Sequence, residues 1–152
     1  MDEIVARGMA RWPNVPAVYG WLQLDRRGNW RIKGEKIPNQ ALREFIARNY
    51  QADERGCWYF QNGPQRVFVE LAYAPLVLHY EGAGLFDHCA RPFAPGQFFQ
   101  DEEGSVLVSG EGTVALLDDR DLGRFADQAG TLPEIPRAEL ERRFGFIARP
   151  HP

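Results

Sequence analysis

Residues 22–32, Leu-Gln-Leu-Asp-Arg-Arg-Gly-Asn-Trp-Arg-Ile, fold back on themselves in one register that separates apolar from polar side chains. A type I turn over Asp25–Gly28, with Gly28 left-handed and bulged, sets Leu24 against Trp30 and Leu22 against Ile32. Trp21, Gln23, Arg31 and Lys33 then fall on the opposite face. A four-residue loop would oppose Leu24 to Asn29 and mix the faces, and a slip of one residue flips a whole strand. Asp25 suits the first turn position because its carboxylate accepts local backbone N–H groups, and Gly28 suits the left-handed one because it has no Cβ. The signature returns at Asp53-Glu54-Arg55-Gly56 and Asp101-Glu102-Glu103-Gly104. A hairpin-rich chain is therefore predicted, with the three aspartates as turn scaffolding and not as ion ligands.

Around these turns the pattern alternates strands with a few helices. Pro13 and Pro16 make residues 1–16 an extended arm, and Met9 is an alternative start. Asn39 caps a helix to Tyr50 whose stripe is Leu42, Phe45, Ile46 and Asn49. Strands follow at Cys57–Gln61 and Arg66–Tyr73. In the second of these Val67, Val69, Leu71 and Tyr73 share one face, opposite Arg66, Phe68, Glu70 and Ala72. Asn62-Gly63-Pro64 is expected to make a longer loop than the usual two-residue turn, because Pro64 has no N–H. A short strand is expected around Leu85–His88, then a meander from Gln97 to Leu117. A helix over Asp118–Ala129, capped by Asp118, and a short one from Pro136 to Phe144 ended by Gly145 complete the chain. Residues 19–50 and 97–129 share a plan of strand, Asp-x-x-Gly turn, strand and helix. The fold class expected is α+β, with antiparallel β-meanders covered by helices in two similar halves, 17–80 and 81–148, between an arm (1–16) and a tail (149–152).

Composition narrows the function more by exclusion than by assignment. At 152 residues with 44% hydrophobic and 26% charged side chains, the chain has the make-up of a globular protein able to bury a core. It carries 16 Arg and 2 Lys, yet its net charge is -3 and its pI about 5.6, which argues against nucleic-acid binding. Charge is uneven, +3 over residues 1–76 and -6 over 77–152. No apolar run is long enough for a membrane span, and Asp2 and Glu3 stand where a signal peptide carries bases. A cytoplasmic protein is expected, with Cys57 and Cys89 as free thiols.

The run from Gly20 to Tyr50, with Asp53–Pro75, resembles an uncharacterised family of proteobacterial proteins of unknown function, most closely over residues 12–80. More distantly, Asp25, Gly28, Trp30, Gly34, Ile37, Leu42 and Phe45 match the Asp-x-x-Gly-x-Trp, Gly-x-x-Ile and Leu-x-x-Phe spacing of a second unannotated proteobacterial family. That resemblance implies a fold of two successive similar α+β subdomains and a signalling or ligand-sensing role. Neither family brings a catalytic residue to carry over.

No motif places a nucleophile, a base and oxyanion donors together. His79, His88, Cys89 and Cys57 lack metal-ligand spacing, and 88 and 89 would point to opposite faces of a strand. The glycines at 110 and 112 open a strand, not a phosphate-binding helix, and Asp118, Asp119 and Asp121 read as helix capping and not as a calcium loop. No catalytic residue, metal or cofactor is expected. Trp21 among Arg31 and Lys33 is the candidate binding face, through a cation–π contact, for a protein partner or a small ligand; the preferred reading of Trp21 itself is cover by the N-terminal arm, Trp12 included, or by another layer. The function expected is that of a non-enzymatic binding or regulatory module, with self-association left open. The alternative is an enzyme with a site near His79, His88 and Cys89.

Overall fold

The computed structural model describes residues 13–126 and 131–152. The first half of the chain runs β1 (Ala17–Leu24), β2 (Trp30–Ile32), β3 (Glu35–Lys36), α1 (Gln40–Arg48), β4 (Tyr50–Ala52), β5 (Trp58–Asn62) and β6 (Gln65–Leu71). The second runs β7 (Leu76–Glu81), β8 (Gly84–Asp87), β9 (Pro92–Phe93), β10 (Phe98–Gln100), β11 (Val106–Gly110) and β12 (Thr113–Leu117). A 3-10 turn at Asp119–Asp121 leads into α2 (Leu122–Ala126), and another at Arg137–Glu139 leads into α3 (Leu140–Phe144).

The strands form two six-stranded sheets with the same plan, β3-β2-β1-β6-β5-β4 and β10-β11-β12-β7-β8-β9. In each, two antiparallel three-stranded meanders meet through one parallel pair, β1 with β6 and β7 with β12. The sheets are thus mixed and not purely antiparallel. A local pattern shows which strands turn back on their neighbours; the parallel pairs join strands about 40 to 50 residues apart, beyond its reach. Among the described residues the helices are short, nine residues at most, and the fold is mostly β. β7 pairs with β12, so Leu76–Glu81 stands in the second sheet.

The alignment of residues 19–50 with 97–129 is corrected by this topology. The Asp25 turn joins the first two strands of its sheet, whereas the Asp101 turn joins β10 to β11. Its counterpart by strand order is the Asp53 turn between β4 and β5.

The expected hairpin register holds: Leu22 pairs with Ile32, Gln23 with Arg31 and Leu24 with Trp30. Lys33 lies beyond the strand, in a two-residue turn at φ 52 followed by Gly34 at φ 86, the backbone of a type I′ hairpin. The Asn62–Gln65 connection is also a two-residue turn, shorter than expected. Gly63, at φ 55, takes the first central position and Pro64 the second, so Gln65 supplies the N–H that closes the hairpin and none is asked of Pro64.

Helix α1 starts where Asn39 Oδ1 accepts the Leu42 N–H at 2.8 Å. It buries Leu42 and Ile46 against the first sheet, about 1.5–3 kcal/mol each by area. Phe45 meets Phe60 edge-on at 5.5 Å. Asp118 caps the turn ahead of α2 through its side chain, as expected, but the segment opens as 3-10 helix; the end expected at 127–129 falls outside the described residues. Gly145, at φ 69, ends α3. One hydrophobic core runs through both sheets, from Leu22, Phe60 and Val67 to Leu78, Leu107 and Leu117. A second, small cluster of Cys57, Tyr59 and Phe68 lies apart from it, which is why Phe68 is buried on the face opposite Val67. Among the described residues no helix is long and apolar enough to cross a membrane.

Candidate functional site

The three Asp-x-x-Gly turns are built alike. Asp25 Oδ1 accepts the N–H groups of Arg27 and Asn29, Asp53 Oδ1 those of Arg55 and Cys57, and Asp101 Oδ1 those of Glu103 and Ser105, all at 2.8–2.9 Å. A fourth copy is present at Asp87-His88-Cys89-Ala90. Asp87 Oδ1 accepts from Cys89 at 2.8 Å and from Arg91 at 3.0 Å, and Ala90 takes the left-handed position at φ 63. His88 and Cys89 therefore sit in a turn, not on a strand. The missing glycine hid this copy from the sequence.

The Asp25 and Asp87 turns, one from each sheet, press together. A Cβ on Gly28 would lie 2.7 Å from His88 Cβ and 3.6 Å from Val77 Cβ. The His88 ring enters the core between Trp30, at 5.1 Å, and Tyr50, at 5.4 Å. Its Nδ1 accepts the Val77 N–H at 3.2 Å, which assigns the ring proton to Nε2. That nitrogen is shut off from solvent and has no hydrogen-bond partner, although the residue as a whole keeps some exposure; the flanking ring faces offer only weak acceptance. Burial, with the neighbouring Arg91 charge adding to it, lowers the His88 pKa to about 3. Arg91 itself ties the junction to α1, donating through Nη2 to the carbonyls of Ala47 and Tyr50 at 2.9 and 3.2 Å.

Two clefts flank this junction. One, about 470 Å³, runs between α1 and the paired turns and is lined by Gly28, Trp30, Arg43, Ala47, Cys89 and Ala90 among others. The other, about 430 Å³, is bordered by Arg27, His79, Asp118, Arg120 and Asp121. A third, about 440 Å³, lies where the link between the sheets meets α3, with Tyr73, Glu102, Arg137, Glu141 and Arg149 at its edge. Beside it the Tyr73 ring lies between the guanidinium groups of Arg26 and Arg137, 4.8 and 4.7 Å from its centroid, and its hydroxyl donates to Asp101 Oδ2 at 2.6 Å.

His88 lines both flanking clefts, but His79 lines one and Cys89 the other. The three residues of the alternative enzymatic reading thus do not converge in one pocket. Both cysteines are free thiols. Burial, and after it the Asp87 charge, pushes the Cys89 thiol up to about 12, and burial raises Cys57 as well. A thiol so placed is a poor nucleophile at neutral pH. Among the described residues no three His, Cys, Asp or Glu side chains gather to hold a metal.

Of the expected binding face, the structure brings two residues together. Lys33 Nζ stands 4.5 Å from the centroid of the half-buried Trp21 ring. Arg31 is turned to internal use, donating from Nε to Asp25 Oδ2 and from Nη1 to the Gly34 carbonyl, both at 2.9 Å. None of the three lines the clefts above. Trp12, the other expected neighbour of Trp21, lies outside the described residues. Sequence reasoning missed Arg43, Arg91 and the Trp30–His88–Tyr50 group; the one available signal was an aspartate three residues ahead of Ala90 between apolar runs.

Residues 1–132 match the model of a family, DUF2944, described as a protein of unknown function (DUF2946). A search of curated proteins finds no match. Among solved structures, the chain is similar to a DUF1285 family protein from Silicibacter pomeroyi, with a TM-score of 0.58 at 18% identity over 86% of each chain. It is also similar to a DUF1285 family protein from Shewanella baltica, with a TM-score of 0.53 at 17% identity over 72% of this chain and 92% of that one. At such identities the likeness is one of fold.

Proposed function

The chain belongs to the DUF2944 family, whose function is unknown, and from that premise we propose that it is a non-enzymatic module that binds a small ligand in the cleft between α1 and the paired turns. The observation that carries this reading is the apposition of Gly28 and His88. It makes a wall of that cleft from both sheets at once, so an occupant touches both and can report its presence through their packing. The side chains at the wall suit binding over turnover: His88 stays neutral with one ring nitrogen already used, and Cys89 stays a thiol. A volume of about 470 Å³ is in the range of small-molecule sites. Two free thiols fit a reducing, cytoplasmic setting.

Thermal-shift screening of wild type and of Ala47→Phe, which fills the cleft, tests the proposal. Compounds should raise the Tm of wild type and leave the variant unmoved. Compounds that stabilise both equally, or a broad metabolite panel that stabilises neither, would count against it.

The Trp21–Lys33 pair supports a second reading, an acidic partner or a second copy of the chain docking at that corner beside Arg31. Sedimentation of Lys33→Glu against wild type checks self-association there; identical concentration-dependent profiles remove it.

A further inference from the structure

Resting on the ligand-binding reading of the α1 cleft, we propose that its occupant is a small monoanion with an apolar body, a carboxylate held by the Arg43 guanidinium. The three clefts differ in how their charges are disposed. In the cleft beyond His88 both arginines are engaged by an acid: Arg27 by Asp119 at 3.2 Å and Arg120 by Asp118 at 2.5 Å. The cleft beside α3 carries two arginines, Arg137 and Arg149, and two acids, Glu102 and Glu141, so its formal charges cancel. The α1 cleft sets Arg43 and Arg48 against one acid, Glu44, and that carboxylate accepts from the Gln40 side chain at 2.9 Å. Arg48 makes no ion pair with any described residue.

Arg43 is held in place before any ligand arrives. Its Nη1 donates to the carbonyls of Ile37 and Pro38 at 2.9 and 2.7 Å, neutral acceptors that fix the guanidinium without neutralising it. These bonds use a single nitrogen, so N–H donors remain along another edge, the planar fork that matches a carboxylate. A positioned, uncompensated guanidinium costs little further ordering on binding. Gly28, Trp30, Ala47, Ala90 and the uncharged Cys89 give the wall an apolar stretch, beside the polar Asn29, Gln40 and His88. About 470 Å³ suits one ring or a short alkyl chain behind the acid group.

The test is an NMR titration of the full chain with benzoate, its neutral counterpart benzamide, and inorganic phosphate. Benzoate should shift the amide resonances of Gly28, Ala47 and Ala90 and bind about tenfold more tightly than benzamide. Arg43→Gln should abolish that preference. Because Arg43 also braces the start of α1, Arg48→Gln serves as the second variant and should reduce the preference with the Tm unchanged. Equal binding of benzoate and benzamide, or phosphate as effective as benzoate, overturns the carboxylate assignment and leaves the cleft reading standing. Failure of all three to move those amides overturns the carboxylate assignment; a stabilising neutral compound that Ala47→Phe excludes would then show the cleft reading to hold without it.

Discussion

A Cβ on Gly28 would come within 2.7 Å of the Cβ of His88, so the turn of one sheet admits the turn of the other only while position 28 has no side chain. Gly34 provides the control: its φ of 86 is as left-handed as the 82 of Gly28, but nothing lies within 4 Å of its added Cβ. Gly34→Ala should cost about 1–3 kcal/mol from backbone strain alone. Gly28→Ala should cost about 1–3 kcal/mol more, from overpacking against His88. Urea denaturation of both variants measures the difference, and equal losses would remove the apposition as a determinant of stability.

Ala90 stands where the other three Asp turns have glycine, at φ 63. Relief of left-handed strain outweighs the entropy that glycine adds to the unfolded chain, so Ala90→Gly should stabilise by about 0.5 to 1 kcal/mol. A loss of stability on chemical denaturation would mean that this turn is held differently from its three relatives.

How much of this could be read from the sequence follows from how local each feature is. The Leu22–Ile32 register was legible because a single hairpin had to satisfy a period of two on both strands. Helix α1 was legible because Asn39 and the Leu42–Ile46 stripe agree. The parallel pairs β1–β6 and β7–β12 were not, since no local pattern records which distant strand lies alongside. The Asp87 turn was not, because Ala90 gives no sign that it has accepted a positive φ. The candidate cleft depends on both. It exists only where that unrecognised turn meets the Asp25 turn and α1, so nothing in the sequence set Arg43 apart from the other charges of this helix.

Tyr73 sits in the link between the sheets and donates to Asp101 Oδ2 at 2.6 Å, while Asp101 Oδ1 organises its own turn. Burial first, and then this bond, raises the phenol pKa, so the hydroxyl stays a donor across the accessible pH range. Tyr73→Phe keeps the ring between Arg26 and Arg137 and strands a buried carboxylate oxygen, at a cost of about 1–3 kcal/mol. Asp101→Asn should reduce the cost of a subsequent Tyr73→Phe, and a double-mutant cycle with no coupling would argue that the bond contributes nothing.

Cys57 is fully buried and Cys89 partly so, and burial raises both thiols, Cys89 to about 12. Iodoacetamide at pH 8 should therefore modify neither in the native protein and both in urea, as counted by intact mass. Rapid native labelling of Cys89 would reopen the catalytic alternative at this turn.

His88 should impose a pH dependence of definite sign. The unfolded chain protonates this imidazole below about 6.5, whereas burial and Arg91 keep the folded one neutral down to about 3, against the smaller opposing influence of Asp25. Protons then favour the unfolded state between those values. The contribution of neutral His88 is complete above about pH 6.5 and is lost as the pH falls, by about 1.4 kcal/mol per pH unit at most. Wild type and His88→Leu should be compared by urea denaturation from pH 7.5 to 4.5, with His79 and His151 common to both as background. The wild-type curve should fall more steeply by up to that slope below about pH 6.5. Parallel curves would mean that the ring is solvated or finds a partner for Nε2, and that the junction between the two turns is looser than the Gly28–His88 contact implies.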